Sequence, residues 1–138
     1  MAPARAASAG APLVNALIDT RLMLDYLQGE PRAAEAFAGC ASRSITALTW
    51  VEVMRRCPPD RREATRAFLR GFERLSISES TADEAMRLSF ARDGLPLERA
   101  VNWASAIVNQ LVFVTTEAQG VREAERNVVV PYESKRRR

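Results

Sequence analysis

The chain is predicted to be an α/β domain with a mostly parallel sheet of four to five strands flanked by helices, and three observations carry that prediction. Short apolar segments at 13–18, 111–115 and 128–130 stand near both ends of the chain. They do not alternate polar with apolar residues, which is the pattern of strands covered on both faces of a parallel sheet. Between them run segments whose apolar residues recur three and four apart, the period of an amphipathic helix. Strands alternating with helices make the class α/β. A chain of 138 residues, 47% hydrophobic and 27% charged, can bury one core.

Taken in order, residues 1–12 read as a disordered arm, 13–133 as the domain and 134–138 as a basic tail. The arm is alanine-rich and lacks the long apolar segment of a secretory signal. The first strand, 13–18, stops at Asp19-Thr20 and gives way to Arg21–Leu27 at helical spacing. Gly29 and Pro31 end that helix, and a second short one spans Arg32 to Ala38 before Gly39. Ser44-Ile45-Thr46 is a short strand that runs into Thr49-Trp50-Val51-Glu52, an N-cap pattern for a helix that Pro58-Pro59 must end. Asp60 is expected to cap an amphipathic helix with Ala64, Phe68 and Phe72 on one face. Leu75–Ile77 is a candidate strand. A second capping box, Thr81 to Glu84, opens a helix whose Ala82, Met86 and Phe90 repeat every four residues until Gly94 stops it. Pro96 suits the first turn of the next helix, whose Val101, Ala104, Ile107 and Val108 mark a buried face leading into the strongly β-like 111–115.

Composition removes whole classes of chemistry. There is no histidine, so Ser-His and Cys-His nucleophiles, histidine bases and imidazole zinc sites are excluded. Carboxylate chemistry remains. Cys40 and Cys57 suit neither a disulfide framework nor a zinc site, and imply reduced thiols in a cytoplasmic protein. No apolar run reaches the length of a membrane span. The net charge of +3 rests on Lys135–Arg138, since the rest of the chain has 16 basic against 17 acidic residues. No glycine-rich phosphate loop or internal repeat is present.

In an open parallel sheet, ligands gather beyond the carboxyl ends of the strands. Asp19 ends the first strand, Glu52 follows the second within a turn of helix, and Glu117 follows the strand ending at Thr115. Hard carboxylate oxygens are what Mg²⁺ or Mn²⁺ selects, and such an ion activates water against a phosphodiester. Each acid also has a purely structural reading: Asp19 as a helix cap, Glu52 as the third residue of a capping box, Glu117 as a solvated loop carboxylate.

The ordered set of segments resembles a PIN domain of the VapC toxin type. Ala16-Leu17-Ile18-Asp19-Thr20 with Leu22, Leu24, Asp25, Tyr26 and Leu27 is similar to the family's opening strand and helix. Ser44-Ile45-Thr46 and Thr49-Trp50-Val51-Glu52-Val53 resemble its second acidic motif. Gly94–Leu97, Ala104-Ser105-Ala106, Leu111–Thr115 and Val130-Pro131-Tyr132 resemble its later helix, strand and ending. Together these cover residues 13 to 133. The specificity lies in the order, since aspartate-threonine after an apolar strand is common.

The resemblance implies a three-layer fold and a Mg²⁺- or Mn²⁺-dependent endoribonuclease, the toxin of a toxin–antitoxin system. It implies Asp19 and Glu52 as metal ligands, Glu117 assisting, an RNA substrate, a VapB-like antitoxin and a homodimer. One position departs. The family's third aspartate falls on Arg99, and a guanidinium repels a cation. We expect Arg99 to pair with Asp19, Glu52 or both; with a local slip of register, Glu98 or Asn102 would face the acids instead. The alternative function is a catalytically degenerate PIN domain that binds RNA or a protein. Arg55, Arg56, Arg61 and Arg62 bracket the Pro58-Pro59 turn as candidate RNA contacts, with solvated helix faces beside Asp60 and Glu63 as the other reading. Trp50 and Trp103 are expected in the core rather than stacked on bases.

Overall fold

Leu17 and Ile18 are adjacent in sequence yet belong to different cores, because successive side chains of a strand point to opposite faces of the sheet. The computed structural model describes residues 13–117, 120–121 and 127–134; the expected arm at 1–12 and residues 135–138 of the tail lie outside them. Strand β1 (Val14–Ile18) is the middle of a five-stranded sheet with β2 (Cys40–Thr46), β3 (Glu73–Leu75), β4 (Val112–Val114) and β5 (Val128–Val129). The strand order is β3-β2-β1-β4-β5, and every adjacent pair is parallel.

Helices cover both faces. On one side, α1 (Thr20–Leu27), α2 (Pro31–Ala38), α3 (Ala47–Arg55) and α4 (Arg62–Leu69) contribute Leu22, Met23, Phe37, Val53 and Leu69. These pack on Ala16, Ile18, Ile45 and Val114. Tyr26 stacks on Phe37 with centroids 4.4 Å apart, and Phe72 meets Phe37 edge-on at 6.0 Å. On the other side, α5 (Glu79–Ala91) and α6 (Leu97–Val108) bring Ala85, Leu88, Ala100, Trp103 and Ala104 against Leu17 and Phe113. The three expected layers are present. Among the described residues no helix is long and apolar enough to cross a membrane, and both cysteines are free. Burial pushes the Cys40 thiol up to about 11.

Several boundaries differ from the sequence reading, each for a local reason. Helix α3 is capped by Thr46, whose Oγ1 accepts from Thr49 N at 3.1 Å, so Thr49 is inside the helix and Glu52 lies beyond its first turn. Asp60 sits in a single 3-10 turn, Pro59–Arg61, before α4. β3 is Glu73–Leu75 instead of Leu75–Ile77, because its three residues pair with Ser44, Ile45 and Thr46. In α5 the cap is Ser78 and not Thr81. The buried face of α5 is Thr81, Ala85 and Leu88, while Met86 and Phe90 are 51% and 84% exposed. Small residues let α5 lie against α6, so the bulky period-four stripe turns outward. Of the face expected to be buried in α6, Ala104 is buried and Val108 is exposed. Trp103 is in the core as expected, stacked near Phe113, whereas Trp50 is partly buried under the Arg74 guanidinium.

Chain order fixes where a ligand can bind. From β1 the chain steps outward to β2 and β3, then returns across the sheet to β4 on the other side of β1. The crevice at this reversal opens at the carboxyl ends of β1 and β4.

Helix α6 ends in a Schellman arrangement: Leu111 N bonds to Ala106 O at 2.8 Å and Gln110 N to Ile107 O at 3.2 Å. Its left-handed residue is Gln110, at φ 60°, where glycine carries no Cβ penalty. Gln110→Gly is therefore expected to raise stability by about 0.5–1 kcal/mol, measured by urea denaturation.

Candidate acidic site

Asp19 is the residue at which β1 ends and α1 begins. Its extended backbone (φ −71°, ψ 155°) leaves the side chain to cap α1, where Oδ1 accepts from Thr20 N at 2.9 Å. The same oxygen accepts from the Asn102 amide at 3.0 Å, and Oδ2 accepts from the Thr115 hydroxyl at 2.7 Å. The carboxylate is only 4% exposed. Burial raises its pKa above the ordinary 3.8, against the opposing pull of the Thr115, Asn102 and Thr20 hydrogen bonds and the Arg99 charge.

A buried polar network supports it. The Asn102 amide nitrogen also faces the hydroxyls of Thr20 (3.3 Å) and Thr49 (3.2 Å), and its Oδ1 accepts from Thr46 at 2.6 Å. The Thr20 and Thr49 hydroxyls are 2.7 Å apart. Residues from α1, α3 and α6 and from the ends of β2 and β4 are thereby locked around one carboxylate. Thr20, Thr46 and Thr115 were not singled out from sequence as parts of the site. Threonines at the carboxyl ends of strands are the signal they offered.

Glu52 and Glu117 line the same pocket as Asp19, together with Thr20, Arg21, Leu24, Arg56, Glu98 and Arg99. The three acids proposed from sequence are thus gathered at the β1–β4 crevice. Glu52 is half-buried on α3 and makes no hydrogen bond among the described residues, while Glu98 stands exposed at the rim. With Thr46 as the cap, Glu52 has no capping duty to explain its position.

Arg99 is buried, 7% exposed, in the first turn of α6. Its NH2 donates to Glu117 Oε1 in an ion pair. The direct pairing among the described residues is thus with Glu117 and not with Asp19 or Glu52, which Arg99 was expected to meet; its charge reaches Asp19 through space. Arg99 and Asn102, one turn apart on α6, both face the acids.

This donor set does not fit a divalent ion as it stands. A guanidinium lies inside the pocket and holds Glu117, and among the described residues no three acidic side chains are arranged to share one ion. Of the basic cluster, Arg56 lines the acidic pocket, and Arg56 and Arg61 line an adjoining groove with Leu24, Leu27, Val53 and Pro58. Arg55 and Arg62 are exposed outside both.

Neither a protein-family model nor a curated protein matches the chain. Solved structures do. A toxin–antitoxin complex from Klebsiella pneumoniae aligns with a TM-score of 0.81 at 28% identity, over 87% of this chain and all of that one. FitAcB from Neisseria gonorrhoeae aligns at 0.70 and 15% identity, over 84% and 97%. DNA-bound VapBC from Salmonella typhimurium aligns at 0.69 and 19%, over 86% and 97%.

Two stability effects follow from the network. Thr46→Ala removes the α3 cap and leaves Asn102 Oδ1 buried without its donor, so a loss of about 2–3 kcal/mol is expected by denaturant titration. Because the folded pKa of Asp19 is raised, ionising it opposes folding at neutral pH. Asp19→Asn should therefore be more stable than the parent at pH 7. That gain should shrink as pH falls through the raised pKa and vanish below 3.8, read as Tm against pH.

Proposed function

We propose that this chain, whose fold is that of a PIN domain of the VapC toxin type, is the toxin-type subunit of a toxin–antitoxin pair and acts on RNA. The observation that carries this reading is the gathering of Asp19, Glu52 and Glu117 in one pocket at the strand-order reversal of that fold. Were a divalent ion held there, Asp19, Glu52 and Glu117 would be the groups to hold it, and it would supply the Lewis acidity that endonucleolytic hydrolysis of RNA uses.

Because the residues present do not fit the ion, the chain's own groups are what can be assigned. Glu52, half-buried and without a hydrogen bond among the described residues, is the group we assign to accept a proton from a nucleophile at the pocket. Asp19 is held immobile by three donors and acts as a fixed negative charge. Arg21 and Arg56 edge the pocket and Arg61 lies beyond it, where guanidinium groups can take backbone phosphates bidentately. Arg55 and Arg62 are the outer candidates for the same role.

Partners follow from the neighbours' assemblies and from this surface. The groove lined by Leu24, Leu27, Val53, Cys57, Pro58 and Arg61 offers apolar floor and positive charge for a segment of a VapB-like antitoxin. The exposed Met86, Phe90 and Leu97 leave apolar surface for a second copy of the chain. The Arg99–Glu117 pair favours a second reading, a degenerate PIN domain that binds RNA or a protein without cutting.

One cleavage experiment separates the two. Structured RNAs are incubated with Mn²⁺ and the native chain, Asp19→Ala, Arg99→Asp and the double variant. Cleavage by the native chain that drops at least about a hundredfold in Asp19→Ala supports the nuclease. Cleavage gained only in Arg99→Asp and lost in the double variant supports a silenced nuclease site. Binding without cleavage in every variant supports the module.

A further inference from the structure

Arg99 stands in a costly place. It lies in the first turn of α6, where the helix macrodipole disfavours a cation, and its side chain is 9% exposed. Losing water around a guanidinium is unfavourable unless anions replace it. They do so here. Glu117 is its direct partner, and Asp19, Glu52 and Glu98 line the same pocket. Without the Arg99 charge among them these carboxylates would repel one another more strongly. In a metal-dependent nuclease of this layout the positive charge is the ion.

We propose that the Arg99 guanidinium takes the place of the divalent ion in this chain, so that the folded protein holds its acids around an internal cation and does not bind Mg²⁺ or Mn²⁺ at this site. The inference rests on Asp19, Glu52 and Glu117 being the functional set, and it makes the free chain the non-cleaving form of that set. Two features set Arg99 apart from an incidental surface arginine. It does not displace the scaffold, since Asn102 one turn on still orients Asp19 and bonds Thr46. It also engages Glu117, so it withdraws an oxygen donor from an ion as well as repelling it. A lysine would keep the charge, an alanine or glutamine would remove it, and an aspartate would reverse it into a ligand.

The test is Mn²⁺ binding followed by calorimetry and by Mn²⁺-dependent change in Tm, neither of which requires activity. The native chain and Arg99→Lys should show no saturable binding into the millimolar range and no shift in Tm. Arg99→Asp should bind roughly tenfold or more tightly than the native chain and gain Tm with Mn²⁺, and adding Asp19→Asn should abolish both. Arg99→Ala and Arg99→Gln repeat the measurement should the aspartate variant fail to fold. Low-micromolar Mn²⁺ binding by the native chain that is lost in Asp19→Asn overturns the inference while leaving the acid set as the functional site. Folded Arg99→Asp, Arg99→Ala and Arg99→Gln variants that bind no more Mn²⁺ than the native chain overturn it too. If RNA binding is then also indifferent to Asp19→Asn and Glu52→Gln, the functional reading falls with it.

Discussion

A carboxylate taken almost wholly out of water must be surrounded by donors, and in this protein that requirement falls on Asp19. Its donors come from separate parts of the chain: the first amide of α1, an amide on α6 and a hydroxyl just past β4. The register that sets Ile18 opposite Val114 carries Thr115 to the level of Asp19. One buried charge therefore couples the central strand to its neighbour, its following helix and the helix on the opposite face. Few other arrangements of these elements would satisfy it, so the network specifies the geometry of the crevice as much as it stabilises it.

The location of the site and its chemistry have different origins. The location is topological: the reversal of strand order beside β1 leaves an open crevice whatever side chains line it. The chemistry depends on which residues project there, and α6 projects two on one face. Asn102 is neutral and serves the scaffold; Arg99 is charged and serves the pocket. Four carboxylates and the guanidinium groups of Arg21, Arg56 and Arg99 line the pocket, which makes it an ion-paired cleft rather than a bare acidic one.

The strands and the acids were legible because their signals are local. Ala16–Ile18 and Val112–Val114 are continuous apolar runs, and the aspartate directly after the first of them caps α1 and lines the crevice. Glu52 was found for a sound reason, its distance from a strand end, although its capping box was set three residues late. Thr46 looked like strand, and it is the last residue of β2 as well as the cap of α3. The first half of β2 was not visible, since Ala41, Ser42 and Arg43 are exposed and polar enough to read as loop. Helix α5 misled for the opposite reason. Its largest apolar residues repeat with helical period, but the packed surface is built from Thr81, Ala85 and Leu88, so the size of the apolar residues does not identify the packed face. The pairing of Arg99 with Glu117 was the least legible feature: Asp19 and Glu52 were the partners expected from sequence, and the path of the chain after β4 brings Glu117 to it.

That separation of scaffold from pocket explains how one arginine can stand in the site without disturbing the fold. Asp19 receives its hydrogen bonds from Thr20, Asn102 and Thr115, none of which depends on Arg99. What Arg99 supplies is charge balance at the open side of the network, where Glu117 would otherwise sit beside a buried carboxylate with no cation between them. A bound metal ion supplies the same balance but can leave with solvent or substrate, whereas a side chain cannot. Replacing an exchangeable cation with a tethered one thus keeps the electrostatic reason for the acids to lie together and removes the mobile Lewis acid that hydrolysis would use. The fold is retained under that exchange, and the reaction is what the exchange puts at stake.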